Sequence, residues 1–145
     1  MIEEVLNEVK RMAALAAKDL RARSPEMNGT AIIAEEEYIP MWGAEKDYTS
    51  VVVGAPIQFE GQVYTLLQPH NASYYTGTPA TLAALWRVKH TTDPAKAKPW
   101  VKPTSTSDMY LENECMIWTN GLVYRCFRDT IYSPEEYAPD WEVVE

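Results

Sequence analysis

The chain has 145 residues, enough for one ordinary domain or for two small ones that support each other. Its formal net charge is -8 and its pI about 4.8, so it lacks the basic surface that a nucleic-acid backbone or an anionic membrane requires, and neither is an expected partner. Five Trp and nine Tyr stand against two Phe, a bias toward rings that join a large apolar body to a polar handle and suit partly exposed contacts or thin cores.

Residues 1–23 predict a helix. Ile2, Val5, Leu6, Val9, Met12, Ala13, Ala16 and Leu20 recur at steps of three and four. Glu3 and Glu4 lie near the start and Arg21 and Arg23 near the end, the order the helix dipole favours, and Ser24-Pro25 ends the run. Ile2, Val5, Val9, Met12 and Ala16 also fit a short a/d seam. Such a helix is marginal alone in water, so it is expected to pack on its own chain or on copies of itself. Ile2-Glu3-Glu4 offers neither a basic region nor an apolar core of a signal peptide, and no run is long enough to span a membrane. Synthesis and residence in the cytoplasm are expected.

Residues 24–37 read as a connector, with Asn28-Gly29 as a turn, Ala31-Ile32-Ile33-Ala34 as an apolar patch and Glu35-Glu36-Glu37 as a solvated charge run. From Tyr38 onward the helical period disappears and β-branched and aromatic residues dominate between turns. Charge is uneven along the chain. Residues 1–37 carry 5 basic and 8 acidic groups, 38–91 carry 3 of each, and 92–145 carry 5 and 10. The two parts of the β region therefore present different surfaces.

An internal repeat organises that region. Ile57, Gly61, Val63 and Tyr64 recur 60 residues later as Ile117, Gly121, Val123 and Tyr124; Pro79, Trp86 and Val88 recur 55 residues later as Pro134, Trp141 and Val143. Each copy centres on a hairpin. Asn120-Gly121 is the strongest two-residue turn signal and pairs Ile117 with Tyr124 and Cys115 with Cys126; the weaker Glu60-Gly61 turn pairs Ile57 with Tyr64. Alternation then assigns Ile117, Tyr124 and both cysteines to the core face, and Trp118, Val123 and Phe127 to the other. Cys115 and Cys126 are expected as buried free thiols, although that register brings them within reach of a disulfide. No other Cys is present, and His70 and His90 are the only histidines, so no structural zinc site and no cofactor are expected.

The repeat unit resembles the small chitin-binding type of carbohydrate-binding module, families 5 and 12. The first copy supplies Trp42, Tyr48, Gly54, Ile57, Gly61, Tyr64, Pro79, Trp86 and Val88; the second supplies Trp100, Tyr110, Ile117, Gly121, Tyr124, Pro134, Trp141 and Val143. The match covers residues 38–145. The layout of a helix before two modules, with Leu67–Ser73 and Trp100–Thr104, is similar to tail-associated phage and prophage proteins. The resemblance implies a mainly β protein, with two tandem antiparallel modules over 38–91 and 92–145 behind a helix and connector over 1–37. It implies a virion component made in the host cytoplasm, with a polysaccharide or glycan and other virion proteins as partners and the helix as an oligomerisation segment.

Two features depart from the family pattern. Adjacent tryptophans that often follow the hairpin Tyr are replaced by Gln68-Pro69 and Arg128-Asp129, and Glu114 stands where a glycine opens the second hairpin. A sugar platform must then come from Trp118 and Phe127, with Tyr132 nearby, or from Tyr74 and Tyr75 in the first module. Packing between modules or against the helix is the competing role for each. No Ser-His-Asp ordering, phosphate loop or HExxH motif occurs, and the acidic residues lie in turns, so no catalysis is expected. An assembly protein that keeps the module fold without binding sugar is the alternative.

Overall fold

Apolar steps of three and four produce helix α1, Ile2–Arg23, in the computed structural model, which describes residues 2–144. Its only buried residue is Leu20. Every residue from 2 to 15 is exposed, so the first four turns project from the body. The C-terminal end is anchored instead. Arg23 forks onto Glu35 (Nη1 to Oε2 3.0 Å, Nη2 to Oε1 2.8 Å) and also reaches Asp19 at 2.9 Å. Ser24-Pro25 ends the helix in a single 3-10 turn.

The connector has structure of its own. Asn28 caps a short helix α2, Gly29–Ile33, its side-chain oxygen accepting from the Ala31 N–H at 2.8 Å. Ile32 and Ile33 are fully buried and form a small core with Leu20, Ile39 and Val63. Gly29 is required here by close approach, because a Cβ would run into the backbone of His90.

Two sheets follow. The first contains β1 (Pro56–Phe59), β2 (Gln62–Leu66) and β3 (Trp86–Lys89), in that order and antiparallel. The second contains β4 (Lys98–Pro99), β5 (Cys115–Ile117), β6 (Val123–Cys126) and β7 (Trp141–Val143). A helix followed by two small sheets is the expected plan, with two differences of balance. Helical residues, many in short 3-10 turns, amount to 29% against 22% strand. The second sheet is mixed rather than wholly antiparallel, because β4 runs parallel to β5.

The two sheets share one hydrogen-bond plan. The Trp42 N–H donates to Gln58 O and the Trp100 N–H to Ile117 O. Tyr48 and Tyr110 are buried at matching points; their hydroxyls accept from Gly43 and Val101 N–H, each at 3.1 Å. Trp86 meets Tyr48 edge to face at 5.1 Å, and Trp141 meets Tyr110 likewise at 5.5 Å. Tyr64 pairs with Val88 as Tyr124 pairs with Val143.

The hairpins differ by one residue, which corrects the expected register. In the first, Glu60 (φ +46) and Gly61 (φ +78) both take the left-handed region, so a two-residue turn pairs Phe59 with Gln62 and Ile57 with Tyr64, as expected. In the second only Gly121 does (φ +82). Its N–H donates to Trp118 O, the Trp118 N–H donates to Leu122 O, and the loop is three residues closed by a glycine bulge. Asn120 instead uses its side chain, accepting from the Leu122 N–H at 3.0 Å and donating to the Tyr124 hydroxyl at 2.9 Å. Tyr124 therefore pairs with Met116, and Cys115 pairs with Arg125 rather than Cys126.

A one-residue slip exchanges the faces of β5. Met116 is fully buried with Tyr110, Cys126 and Trp141, and Trp100, Trp118 and Tyr124 pack against them. Ile117 and Cys115 lie on the opposite face. The αL position filled by Gly54 (φ +96) in the first copy is filled by Asn113 (φ +75) in the second, one residue before Glu114. Their N–H groups donate to the equivalent Leu66 and Cys126 carbonyls. Asparagine tolerates this conformation better than most residues.

The two sheets differ in how they are covered. The first sheet is covered on both faces, so all of β2 is buried: Tyr48, Ile57, Tyr64, Leu66 and Trp86 lie on one side, and the α1–α2 core meets Val63 on the other. The outer face of the second sheet instead carries an Arg125–Glu142 ion pair. The sheets are tied by Gln62 Nε2 to Pro99 O (2.7 Å), by the Cys115 N–H to Thr91 O (2.7 Å), and by His90 stacked on Tyr110 at 3.7 Å.

Candidate functional site

The loop between β6 and β7 of the second module builds an open groove of about 560 Å³. Its aromatic walls are Tyr132 and Tyr137, both about half exposed, with ring centroids 6.2 Å apart and planes tilted by 55°. Arg128, Asp129 and Glu136 line it with Met109 and Thr106 from the facing loop.

Each tyrosine is positioned by local chemistry. Trp141 Nε1 donates to Tyr132 O at 2.8 Å, tying the loop to the core tryptophan. The Tyr132 N–H donates to Thr130 Oγ1 at 3.0 Å, and that hydroxyl donates to Asp140 Oδ2 at 2.7 Å. Ser133-Pro134-Glu135-Glu136 forms a reciprocal capping box: the Ser133 N–H donates to Glu136 Oε1 and the Glu136 N–H to Ser133 Oγ, both at 3.1 Å. The Tyr137 N–H then donates to Ser133 O at 2.9 Å, which sets the second wall.

Asp140 is the charged floor. It is buried, and Arg128 Nε lies 2.9 Å from its Oδ1, with the N–H directed off that oxygen, so the contact is an ion pair without a formed hydrogen bond. The Arg128 side chain is 63% exposed, leaving most of its guanidinium free for a ligand. Two tilted phenol rings, a guanidinium and rim carboxylates suit a polyhydroxylated ligand. The rings offer faces to C–H groups, and the charged groups offer strong hydrogen bonds to hydroxyls.

The sequence-derived platform is only partly brought together. Tyr132 lines the groove. Trp118 turns inward and meets Trp100 edge to face at 5.7 Å, the position that Phe59 occupies against Trp42 at 5.3 Å in the first module. It is half-buried core and does not share an outer face with Phe127. Phe127 is half exposed but does not line the groove. Tyr74 is 82% exposed on a single 3-10 turn, and Tyr75 packs edge to face against buried His70 at 5.4 Å. Neither is joined to the second-module groove.

Tyr137, Arg128 and Asp140 were missed. The Ser-Pro-Glu-Glu box was the available signal, since it announces a helical turn that carries Tyr137 back toward Tyr132. The groove is specific to the second module. The first module has Gln68, Ala72, Leu82 and Leu85 at the places of Arg128, Tyr132, Tyr137 and Asp140.

Cys115 and Cys126 are both free and buried. Burial pushes the Cys126 thiol up to about 12 and raises that of Cys115, so neither is a ready nucleophile. Among the described residues no group of three or more His, Cys, Asp or Glu is placed to hold a metal ion, and no helix is long and apolar enough to cross a membrane. No family model and no curated protein matches the chain.

Proposed function

We propose that the chain is a non-catalytic glycan-binding protein of the chitin-binding-like kind, a virion component of a phage or prophage, whose second module contacts sugar through the Tyr132–Tyr137 groove. One observation carries the reading: two half-exposed tyrosines, fixed by a capping box and by the Trp141 bond, flank an accessible guanidinium in an open groove. Sugar rings stack on the phenols, while Arg128, Asp129 and Glu136 bond their hydroxyls. Binding by one such groove is weak, and self-association through α1 multiplies it. The helix-plus-two-module layout that resembles tail-associated proteins supports the virion setting.

The test is retention on insoluble polysaccharides and on a glycan array. Wild type is retained by at least one glycan, and Tyr132→Ala or Tyr137→Ala weakens retention by about tenfold or more, equivalent to about 1.4 kcal/mol. Binding to no glycan, or equal retention of all three proteins, removes the reading. A second reading, a virion assembly protein without sugar binding, is favoured by the inward turn of Trp118, which removes the largest ring from the expected platform. It gains if no glycan is retained.

A further inference from the structure

The exposed face of α1 carries an inference that rests on the self-association in that reading and is independent of its sugar. Ile2, Val5, Leu6, Val9, Met12 and Leu15 are each more than half exposed, an apolar stripe with nothing packed on it. A free helix of this length is marginal in water, and exposing this stripe makes it worse. The stripe leads into a groove formed by Val9, Met12, Ala13, Ala16 and Tyr38, where the body begins. The geometry points to a second copy of this chain as the occupant, packed antiparallel with its two-fold axis near Val9.

Two features choose that partner and that direction. The seam from Ile2 to Ala16 has Val9 at its midpoint. Antiparallel overlap therefore sends the partner's Ile2, Val5 and Leu6 into the groove between Met12, Ala16 and Tyr38. The overlap is about 22 Å long at 1.5 Å per residue, and it sets the two bodies at opposite ends, clear of each other.

Charge agrees with this arrangement. Glu3, Glu4 and Glu8 mark the first half of the helix, while Lys18, Arg21 and Arg23 dominate the end. Antiparallel packing sets the acidic first turns of each helix at the level of the partner's half that carries Lys10, Arg11 and Lys18, and only the two Glu8 side chains, on the same flank beside Val9, act against it. A parallel pair instead gathers both copies' Glu3, Glu4 and Glu8 at one end and aligns the two helix dipoles.

Cysteine cross-linking of the full chain tests it, because buried Cys115 and Cys126 stay silent. Under mild oxidation Val9→Cys alone forms a covalent dimer. Ile2→Cys alone does not, and a mixture of Ile2→Cys with Ala16→Cys does. By light scattering wild type has the mass of two chains, and Val9→Glu, at an exposed position of α1, has the mass of one. A one-chain mass for wild type, a mass above two chains, or equal cross-linking of Ile2→Cys and Val9→Cys overturns the proposal. Soluble oligosaccharide affinity, measured on Val9→Glu, separates the two claims: loss of pairing leaves Tyr132-dependent binding in place, and loss of sugar binding leaves pairing in place.

Discussion

Acidification strikes the junction between the sheets through His90. The ring is 6% exposed, lies flat on Tyr110 at 3.7 Å, and has no hydrogen-bond partner at Nε2. Burial pushes its pKa down to about 4 from an ordinary value of 6.5, with Asp108 acting weakly the other way. The unfolded chain therefore takes up this proton before the folded one does. Stability from the neutral ring is complete above pH 6.5 and is lost as pH falls toward 4. The two pKa values give a loss of about 2 kcal/mol by pH 5 and about 3 kcal/mol by pH 4. The assay is urea unfolding at pH 7, 5 and 4 for wild type and His90→Phe, which keeps a ring on Tyr110 and removes the titrating nitrogen. Other carboxylates titrate in both proteins and cancel in the difference. Relative to His90→Phe, wild type should lose those amounts of stability. Parallel losses in the two proteins would refute the reasoning.

Three further outcomes follow from the packing. Trp118→Ala removes a half-buried ring from Trp100 and destabilises the fold by about 2 kcal/mol in denaturant unfolding, below the cost of a fully buried tryptophan; unchanged stability contradicts its inward placement. Glu60→Asn relieves a left-handed residue in a two-residue turn whose glycine has nothing near it, and raises stability by about 0.5–1 kcal/mol, read as a higher denaturation midpoint. Cys115 and Cys126 lie on opposite faces of the second hairpin, so mild oxidation leaves both as thiols, and alkylation proceeds at the rate of unfolding; a disulfide found by mass spectrometry would require the other register.

What the sequence disclosed, and what it hid, turns on single backbone positions. The first hairpin was legible because its turn takes the left-handed region at both Glu60 and Gly61, although glutamate is a poor signal for it. The second was misread because Asn-Gly is so strong a two-residue signal, whereas Asn120 spends its side chain on Leu122 and Tyr124 and leaves the left-handed turn to Gly121 alone. An offset of 59 rather than 60 before the turn aligns Asn113 with Gly54, the two residues best able to take positive φ, and Trp118 with Phe59. That alignment was available in the residue types.

The α1 helix was legible from its period, but whether its stripe meets its own body depends on where the connector leads. Asn28 and the buried Ile32-Ile33 pair bring the chain back beneath Leu20 and leave residues 2–15 free. The groove was half visible. Tyr132 stood out as an aromatic in a loop, while Tyr137 needed the fold of the capping box and Asp140 needed the register of β7.

Backbone amide chemical shifts, followed while the most strongly retained soluble oligosaccharide is added, test sugar recognition most directly. Perturbations confined to Thr106, Arg128–Tyr132 and Glu136–Tyr137, and lost in Tyr137→Ala, are the expected result. Perturbations centred on Phe127, or on Tyr74 and Tyr75 in the first module, or a spectrum that does not change at all, would contradict it.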